Sequence, residues 1–334
     1  MIGFILRRLV MLVGVVFCVV TITFLLIRLA PGGPFDKDRK IPKKIEEQLL
    51  LKYQLDGPEG RALGEKWGVA LGFSQAGTAR LGEAMSLGQQ YVSYVGDVAR
   101  GDLRISTKYL NRSVNELLGQ TLPVSMVLGG TAFLIAAGAG ITLGAWAAVR
   151  ANTWLDRGAM LAALFAISIP TFVVGPILVL LLALKLKIFP VGGWGTPMHL
   201  LLPAVTLAGP YIAYVARLMR TSMLEVLGQD FICTARAKGL DTRKVVYRHA
   251  LKAAILPVIS FLGPLAANLL TGSIIVETIF SIPGAGGFFV NSVLNRDGFL
   301  LGGVVIVYCL LLVVLNLVVD ILYSLLDRRI KLYE

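Results

Sequence analysis

The stretch EVLGQDFICTARAKGLDTRKVVYRHALKAAILP, residues 225–257, lies between two apolar runs that can each cross a bilayer. It carries six Lys or Arg side chains and three acidic ones. Because basic loops between spans remain on the cytoplasmic side, this loop is predicted to face the cytoplasm. The pattern predicts a helix over residues 231–238, a turn at Gly239 and a second helix capped by Thr242. The sequence therefore indicates a stiff, basic helical hairpin that a partner could push.

The composition of the chain points to a membrane protein. Of its 334 residues, 56% are hydrophobic and 16% are charged, which is too apolar for a soluble domain. The net charge of +12 comes from loops that flank apolar runs, so membrane orientation explains it better than nucleic-acid binding. The three cysteines have neither metal-site nor disulfide-framework spacing.

Six uncharged runs predict an all-α integral membrane protein with six transmembrane helices, the fourth of them marginal in length. The runs cover residues 9–27, 122–149, 158–184, 200–216, 253–276 and 299–319. An even number of spans puts both termini on one side, and the basic residues at their ends place both in the cytoplasm. In this topology a minority of the basic residues near span ends lie on the extracytoplasmic side. They are Lys185, Lys187 and Arg296.

This topology divides the chain into three segments. Residues 1–30 hold the first transmembrane helix, and residues 31–120 form an extracytoplasmic segment. Residues 121–334 form a five-helix core that contains the cytoplasmic loop 223–253. Within the second segment, residues 89–100 have helical periodicity, and residues 59–88 suggest no function.

The basic loop resembles a known family signature. TARAKGL (234–240), HALK (249–252) and LP (256–257) are similar to the signature loop of permease subunits of ATP-binding cassette (ABC) importers, in the variant of the oligopeptide/dipeptide group. The resemblance covers nearly all of the chain outside residues 59–88. It implies the type I ABC importer permease fold, with the loop as a coupling helix in a cleft of a separate ATPase subunit.

One position departs from the wider family pattern of Glu-Ala-Ala, three residues and Gly. Here the pattern begins Cys233, Thr234, Ala235, so the glutamate that could pair with the ATPase is absent. We do not assign that role to Cys233. A second departure follows Leu103, where the family usually has Gly-x-Ser and this chain has Arg104, Ile105 and Ser106. We therefore expect a different turn there.

The resemblance implies two groups of site residues. Small alanine and glycine side chains would let the coupling helix seat deeply, and a lysine would pair with an acid of the ATPase. The predicted coupling residues are Thr234, Ala235, Ala237, Lys238, Gly239, Leu240 and Asp241. The segment 263–297 resembles the outward part of the translocation pathway, and the candidates there are Asn268, Glu277 and Asn291. For Glu277, a structural role is an equal alternative.

The resemblance also implies the partners of the chain. They are a second homologous permease subunit, two P-loop ATPase subunits, an extracytoplasmic substrate-binding protein, a peptide substrate and the lipid bilayer, with no nucleic acid. The sequence has no GxxxxGK[ST], HExxH or GxSxG motif. We therefore expect no catalytic residue, metal or cofactor in this chain, with ATP and Mg²⁺ held by the partner ATPase. The expected location is a bacterial cytoplasmic (inner) membrane.

Two alternatives stay open. The first is an ABC permease for another ligand, such as a nickel chelate, a peptide antibiotic or a sugar. The second is an ion-coupled secondary transporter, which usually has carboxylates buried in its bundle. The predicted spans carry acids only near their ends, at Glu277 and Asp320, which disfavours the second alternative.

Overall fold

The computed structural model describes residues 2–29, 53, 57–109, 111–271 and 273–326, and these residues are mostly helical. The helices, in chain order, are α1 (Ile2–Leu29), α2 (Pro58–Ala70), α3 (Gln75–Ala99), α4 (Val114–Val149), α5 (Trp154–Ser168), α6 (Thr171–Lys185), α7 (Pro197–Leu227), α8 (Asp230–Ala237), α9 (Thr242–Ala254), α10 (Leu256–Leu270), α11 (Ile274–Ile279), α12 (Gly286–Leu294) and α13 (Gly298–Leu326).

The apolar helices account for the predicted spans. Helices α1, α4, α7 and α13 are each long and apolar enough to cross a membrane. Two bent pairs, α5 with α6 and α9 with α10, raise the number to six if each pair is one span. The all-α membrane fold is therefore confirmed, with four to six candidate spans by length and composition. The basic residues at positions 328, 329 and 331 lie outside the described residues.

The third predicted span, residues 158–184, is two helices rather than one. The chain bends by 104° between α5 and α6, at Pro170. Ile169 precedes this proline and is extended, with ψ 121°, because the proline ring disfavours helical geometry at the residue before it. A proline inside an apolar run thus breaks the span at this point.

Two further helix boundaries differ from the apolar runs. Helix α7 continues to Leu227, eleven residues past the run that ends at Ala216. Helix α10 stops at Leu270, and the Ser273 hydroxyl accepts a hydrogen bond from the Val276 backbone to start α11. The run that predicted a single fifth span to residue 276 therefore contains the end of one helix and the start of another.

The contacts divide the chain into two compact units. One contains Met1–Arg8, Thr121–Gly287 and Leu311–Glu334, and the other contains Leu9–Gln120 and Phe288–Leu310. The largest segment of the first unit begins at Thr121, but Phe288–Leu310, which the sequence placed in the five-helix core, belongs to the other unit. The second unit places most of the first transmembrane helix in one group with the segment that follows it.

The first unit is built on close helix packing. Methionine and valine side chains of α7 are fully buried at its centre, among them Val215, Met219 and Met223. Helix α4 approaches α7 closely at Gly144, where an added Cβ atom would lie 2.3 Å from the Ala216 carbonyl oxygen. Only a residue without a side chain permits this approach.

The second unit contains a helical hairpin, formed by α2 and α3. The Gln89 amide oxygen accepts from the Gly60 backbone at 2.7 Å, and the buried Ser86 hydroxyl accepts from the Gly57 backbone at 3.1 Å. Residues 59–88, which suggest no function in the sequence, form most of this hairpin. The helix predicted over residues 89–100 is confirmed as the C-terminal half of α3.

Candidate functional site

The coupling hairpin is the part of the chain that includes α8, α9 and the turn between them. Helix α8 ends at Ala237, and Gly239 follows with a positive φ of 76°. The Gly239 backbone donates to the Arg236 carbonyl at 2.9 Å, and the Leu240 backbone donates to the Ala235 carbonyl at 3.4 Å. These two bonds define a Schellman motif, in which glycine satisfies the left-handed position. The predicted turn at Gly239 is therefore confirmed.

The cap of α9 differs from the prediction by one residue. The Asp241 carboxylate accepts from the Arg243 backbone at 3.2 Å and caps the helix, while Thr242 is its first residue. A carboxylate at this position also complements the helix dipole. Within α9, the segment Val245–Ala250 winds as a π-helix. Such wider turns are rare and occur often at functional sites.

The side chains of α8 separate into a buried and an exposed face. Ile232 and Ala235 are buried, with exposures of 0% and 6%, and belong to the core of the first unit. The predicted coupling residues that are exposed, on α8 and in the turn after it, are Thr234, Ala237, Lys238, Gly239, Leu240 and Asp241. Six of the seven predicted coupling residues are thus exposed. Ala235 instead faces the core of its own chain.

The open surface of the coupling hairpin is basic. Arg236, Lys238, Arg243 and Lys244 are exposed, and no ion pair joins any of them to an acid among the described residues. The Thr234 hydroxyl donates to the Asp230 carbonyl of its own helix at 3.0 Å. This surface can receive an acidic partner without first breaking an internal ion pair.

The first pathway candidate, Asn268, lies on an exposed face of α10. Its side-chain amide donates to the Tyr211 hydroxyl of α7 at 2.7 Å. One to two turns away, the rings of Tyr214 and Phe261 stack with centroids 4.5 Å apart. We call these four residues the polar-aromatic strip.

The second candidate, Glu277, is buried, with an exposure of 3%. Its carboxylate accepts from the Ser125 hydroxyl at 2.6 Å and from the Gly286 backbone at 3.0 Å. The Ser125 hydroxyl in turn accepts from the Ala285 backbone at 2.8 Å. The carboxylate therefore fixes the loop between α11 and α12, an arrangement that matches the structural alternative considered for this residue.

The third candidate, Asn291, is exposed on α12. It belongs to the other compact unit, and its position is described within that unit alone. The same unit holds Asp297, whose buried carboxylate accepts from the Ser106 hydroxyl and from the backbone of Leu300, the third residue of α13. The sequence alone did not suggest that Ser106 and Asp297 form a hydrogen bond.

One partly buried ion pair was missed at the sequence level. Asp156, near the start of α5, accepts two hydrogen bonds from Arg220 of α7. The helical spacing of Met219, Met223 and Val226 continues the apolar pattern of α7 beyond Arg217, the first charged residue after the uncharged run. Because the predicted span ended before Arg217, it left out the part of α7 that carries Arg220.

Comparison with known proteins defines the class to which this structure belongs. Residues 140–332 match the family described as binding-protein-dependent transport system inner membrane component. The chain belongs to this family, whose members are transport permeases.

Relatives that match along their whole length narrow the class further. The oligopeptide transport system permease protein OppB of Salmonella typhimurium is 40% identical over 99% of this chain and 100% of its own length. The dipeptide transport system permease protein DppB of Bacillus subtilis is 38% identical over 99% of this chain and 98% of its own. The oligopeptide transport system permease protein OppB of Haemophilus influenzae is 38% identical over 99% of this chain and 100% of its own length.

Proposed function

We propose that this chain is the transmembrane permease subunit of an ATP-driven peptide importer in a bacterial inner membrane. Full-length similarity to oligopeptide and dipeptide permeases supports the substrate class. The chain forms half of the pathway, and a second related permease chain forms the other half. An extracytoplasmic binding protein delivers the peptide, and two P-loop ATPase subunits bind ATP and Mg²⁺.

The observation that carries the coupling role is the geometry of α8. Ile232 and Ala235 fix the helix to the core of the first unit, while Thr234 and residues 237–241 face outward. A helix fixed on one face and open on the other transmits a push to the helices beneath it. We infer that the open face docks in the ATPase and that Lys238 pairs with an acid there. ATP then biases the bundle through contacts that differ between its two states.

The orientation follows from the charge of the hairpin. Basic segments close to membrane spans remain in the cytoplasm, so the coupling hairpin and both termini are cytoplasmic in this proposal. An impermeant thiol reagent tests this, because Cys233 is exposed on α8. In a chain that lacks Cys18 and Cys309, the reagent should label Cys233 only in inside-out vesicles.

The pathway assignments depend on where polar groups lie within the spans. Polar side chains in membrane segments usually face a bundle interior or a water-filled cavity. We propose that Asn268 and the polar-aromatic strip line the pathway, and that Asn291 lies on its outward part. Glu277 acts as a positioning residue, because its carboxylate holds the loop at Ala285 and Gly286.

Substitution of Gly239 tests the docking surface. A Gly239→Glu change adds bulk and a negative charge to the exposed turn, where no atom lies within 4 Å of an added Cβ. Peptide uptake into proteoliposomes should be abolished, and ATP hydrolysis should no longer respond to the loaded binding protein. Gly239→Asn is the matched control, because asparagine tolerates a positive φ and adds no charge. Full uptake by Gly239→Glu would refute the docking assignment.

A further inference from the structure

A groove of about 530 Å³ lies between the last turns of α4 and the start of α9, entirely within the first unit. Apolar side chains line its length, including Ile141, Ala145, Val149 and Val246. It is separate from the exposed turn at Lys238 and Gly239, neither of which lines it. Arg243 belongs both to the basic surface of the coupling hairpin and to this groove, but none of the predicted coupling residues 234–241 lines the groove, so the proposed coupling role assigns it no occupant.

The rim of the groove is positively charged and aromatic. Arg150 and Arg243 line it, together with Trp146 and Tyr247, and none of its lining residues is acidic. The Arg150 guanidinium lies over the Trp146 ring, 4.7 Å from the centroid. The acid closest to Arg243 in sequence, Asp241, caps α9 and accepts from a backbone N–H. Two cations therefore face the groove with no ion-pair partner among the described residues.

The groove lies at the C-terminal end of the candidate span α4, where a bilayer's hydrocarbon would meet its headgroups. Val149 is the last residue of the candidate span α4, and Arg150 follows it directly. Trp146 and Tyr247 are 38% and 71% exposed, and such amphipathic rings are enriched at the membrane–water interface. The assignment to the cytoplasmic leaflet relies on the orientation proposed above. The groove itself is defined without it.

We propose that this groove binds one anionic phospholipid. The phosphate lies between Arg150 and Arg243, and an acyl chain follows the apolar wall that continues into the span. Basic pockets between transmembrane helices on the cytoplasmic side bind anionic headgroups in this way. A zwitterionic lipid brings an ammonium group close to the two arginines, so the groove should prefer an anionic headgroup.

Native mass spectrometry of the detergent-purified importer, with all its subunits, tests the proposal. The probes are phosphatidylglycerol and phosphatidylcholine. The wild type should retain phosphatidylglycerol in preference to phosphatidylcholine, and Arg150→Gln with Arg243→Gln should lower its affinity by about tenfold or more. The matched control, Lys244→Gln with Arg248→Gln, removes equal charge from α9 outside the groove and should retain the lipid. Equal retention of both lipids by the wild type would overturn the proposal, as would equal losses in both double variants.

A second measurement does not depend on charge variants and identifies the occupant. A photoreactive benzoylphenylalanine in place of Tyr247 should form an adduct with phosphatidylglycerol in nanodiscs that contain it. An adduct with a partner protein, and none with lipid, would show that the groove is a protein interface and overturn the proposal. Neither measurement requires peptide transport, so a failure here leaves the proposed import function intact. Conversely, a failure of peptide uptake leaves the lipid result intact.

Discussion

Arg220 and Asp156 form a bidentate ion pair that joins α7 to α5. The Arg220 Nε atom lies 2.5 Å from Asp156 Oδ1, and its Nη2 atom lies 2.7 Å from Oδ2. Asp156 is 2% exposed and also accepts from the Asn152 backbone at 2.9 Å. The carboxylate thus holds the loop before α5 and the C-terminal half of α7 in one arrangement.

Removal of one partner of this pair should destabilise the protein. An Asp156→Ala change leaves the Arg220 guanidinium unpaired, and because that side chain is 23% exposed, the cost should be below the roughly 3–5 kcal/mol of a fully buried pair. The unfolding temperature of the detergent-purified importer should fall by several degrees. Arg217→Gln is the matched control, because that arginine lies on the same helix and is exposed, and its effect should be within about 0.5 kcal/mol. Equal losses in the two variants would contradict a specific role for the pair.

Glu277 should affect stability rather than peptide affinity. A Glu277→Ala change leaves the Ser125 hydroxyl and the Gly286 backbone N–H without their acceptor, at a cost of about 1–3 kcal/mol. We expect faster thermal inactivation of the assembled importer and an unchanged KM for peptide uptake at low temperature. Ser125→Ala should act in the same direction, because Ser125 bonds both Glu277 and Ala285. A raised KM with unchanged thermal stability would instead place Glu277 in contact with the substrate.

Asn268 should affect peptide uptake rather than stability. Its amide is exposed and donates to the Tyr211 hydroxyl across two helices. We expect the same amide to bond a passing peptide, and loss of that one hydrogen bond should cost about 1 kcal/mol. Asn268→Ala should therefore raise the KM for peptide uptake about fivefold and leave basal ATP hydrolysis unchanged.

The control for Asn268 is Ser168→Ala. Ser168 is also exposed, and its hydroxyl bonds the Leu164 carbonyl of its own helix at 2.8 Å. Its removal should leave peptide uptake unchanged. An Asn268→Ala importer with wild-type KM would exclude this amide from the pathway.

The apolar runs predicted the existence of the spans because composition alone decides whether a helix can cross a bilayer. They did not predict where the helices bend or end. The break at Pro170 and the extension of α7 to Leu227 depend on local backbone geometry and on packing around Met219 and Met223. These are tertiary features that a count of uncharged residues does not contain.

Arg104 shows a similar limit at a single turn. The absence of the family's usual glycine predicted a different turn, yet Arg104 has a φ of 67°, in the region that glycine favours. An ion pair to Asp97 at 2.8 Å holds the buried side chain, and its guanidinium lies over the rings of Tyr94 and Phe299. These contacts compensate the backbone strain of a non-glycine residue. They join distant parts of the sequence and could not be inferred from the motif.

The coupling hairpin was predictable because its signals are local. A glycine at a helix end and a basic turn lie within a few residues, and the predicted cap at Thr242 was wrong by only one residue, because Asp241 caps α9. The sequence did not reveal which face of α8 is open. That depends on Ile232 and Ala235, whose burial requires the rest of the core of the first unit.

Crosslinking from Cys233 tests the coupling role most directly. Cys233 is exposed on α8, and a benzophenone maleimide can be attached to it in a Cys18→Ala, Cys309→Ala chain. In the assembled importer, irradiation should produce an adduct with the ATPase subunit, while the same probe on Leu71→Cys in the α2–α3 hairpin, in a chain that also carries Cys233→Ala, should not. An adduct of Cys233 with the binding protein, or no adduct with the ATPase in an importer that still hydrolyses ATP, would contradict the account.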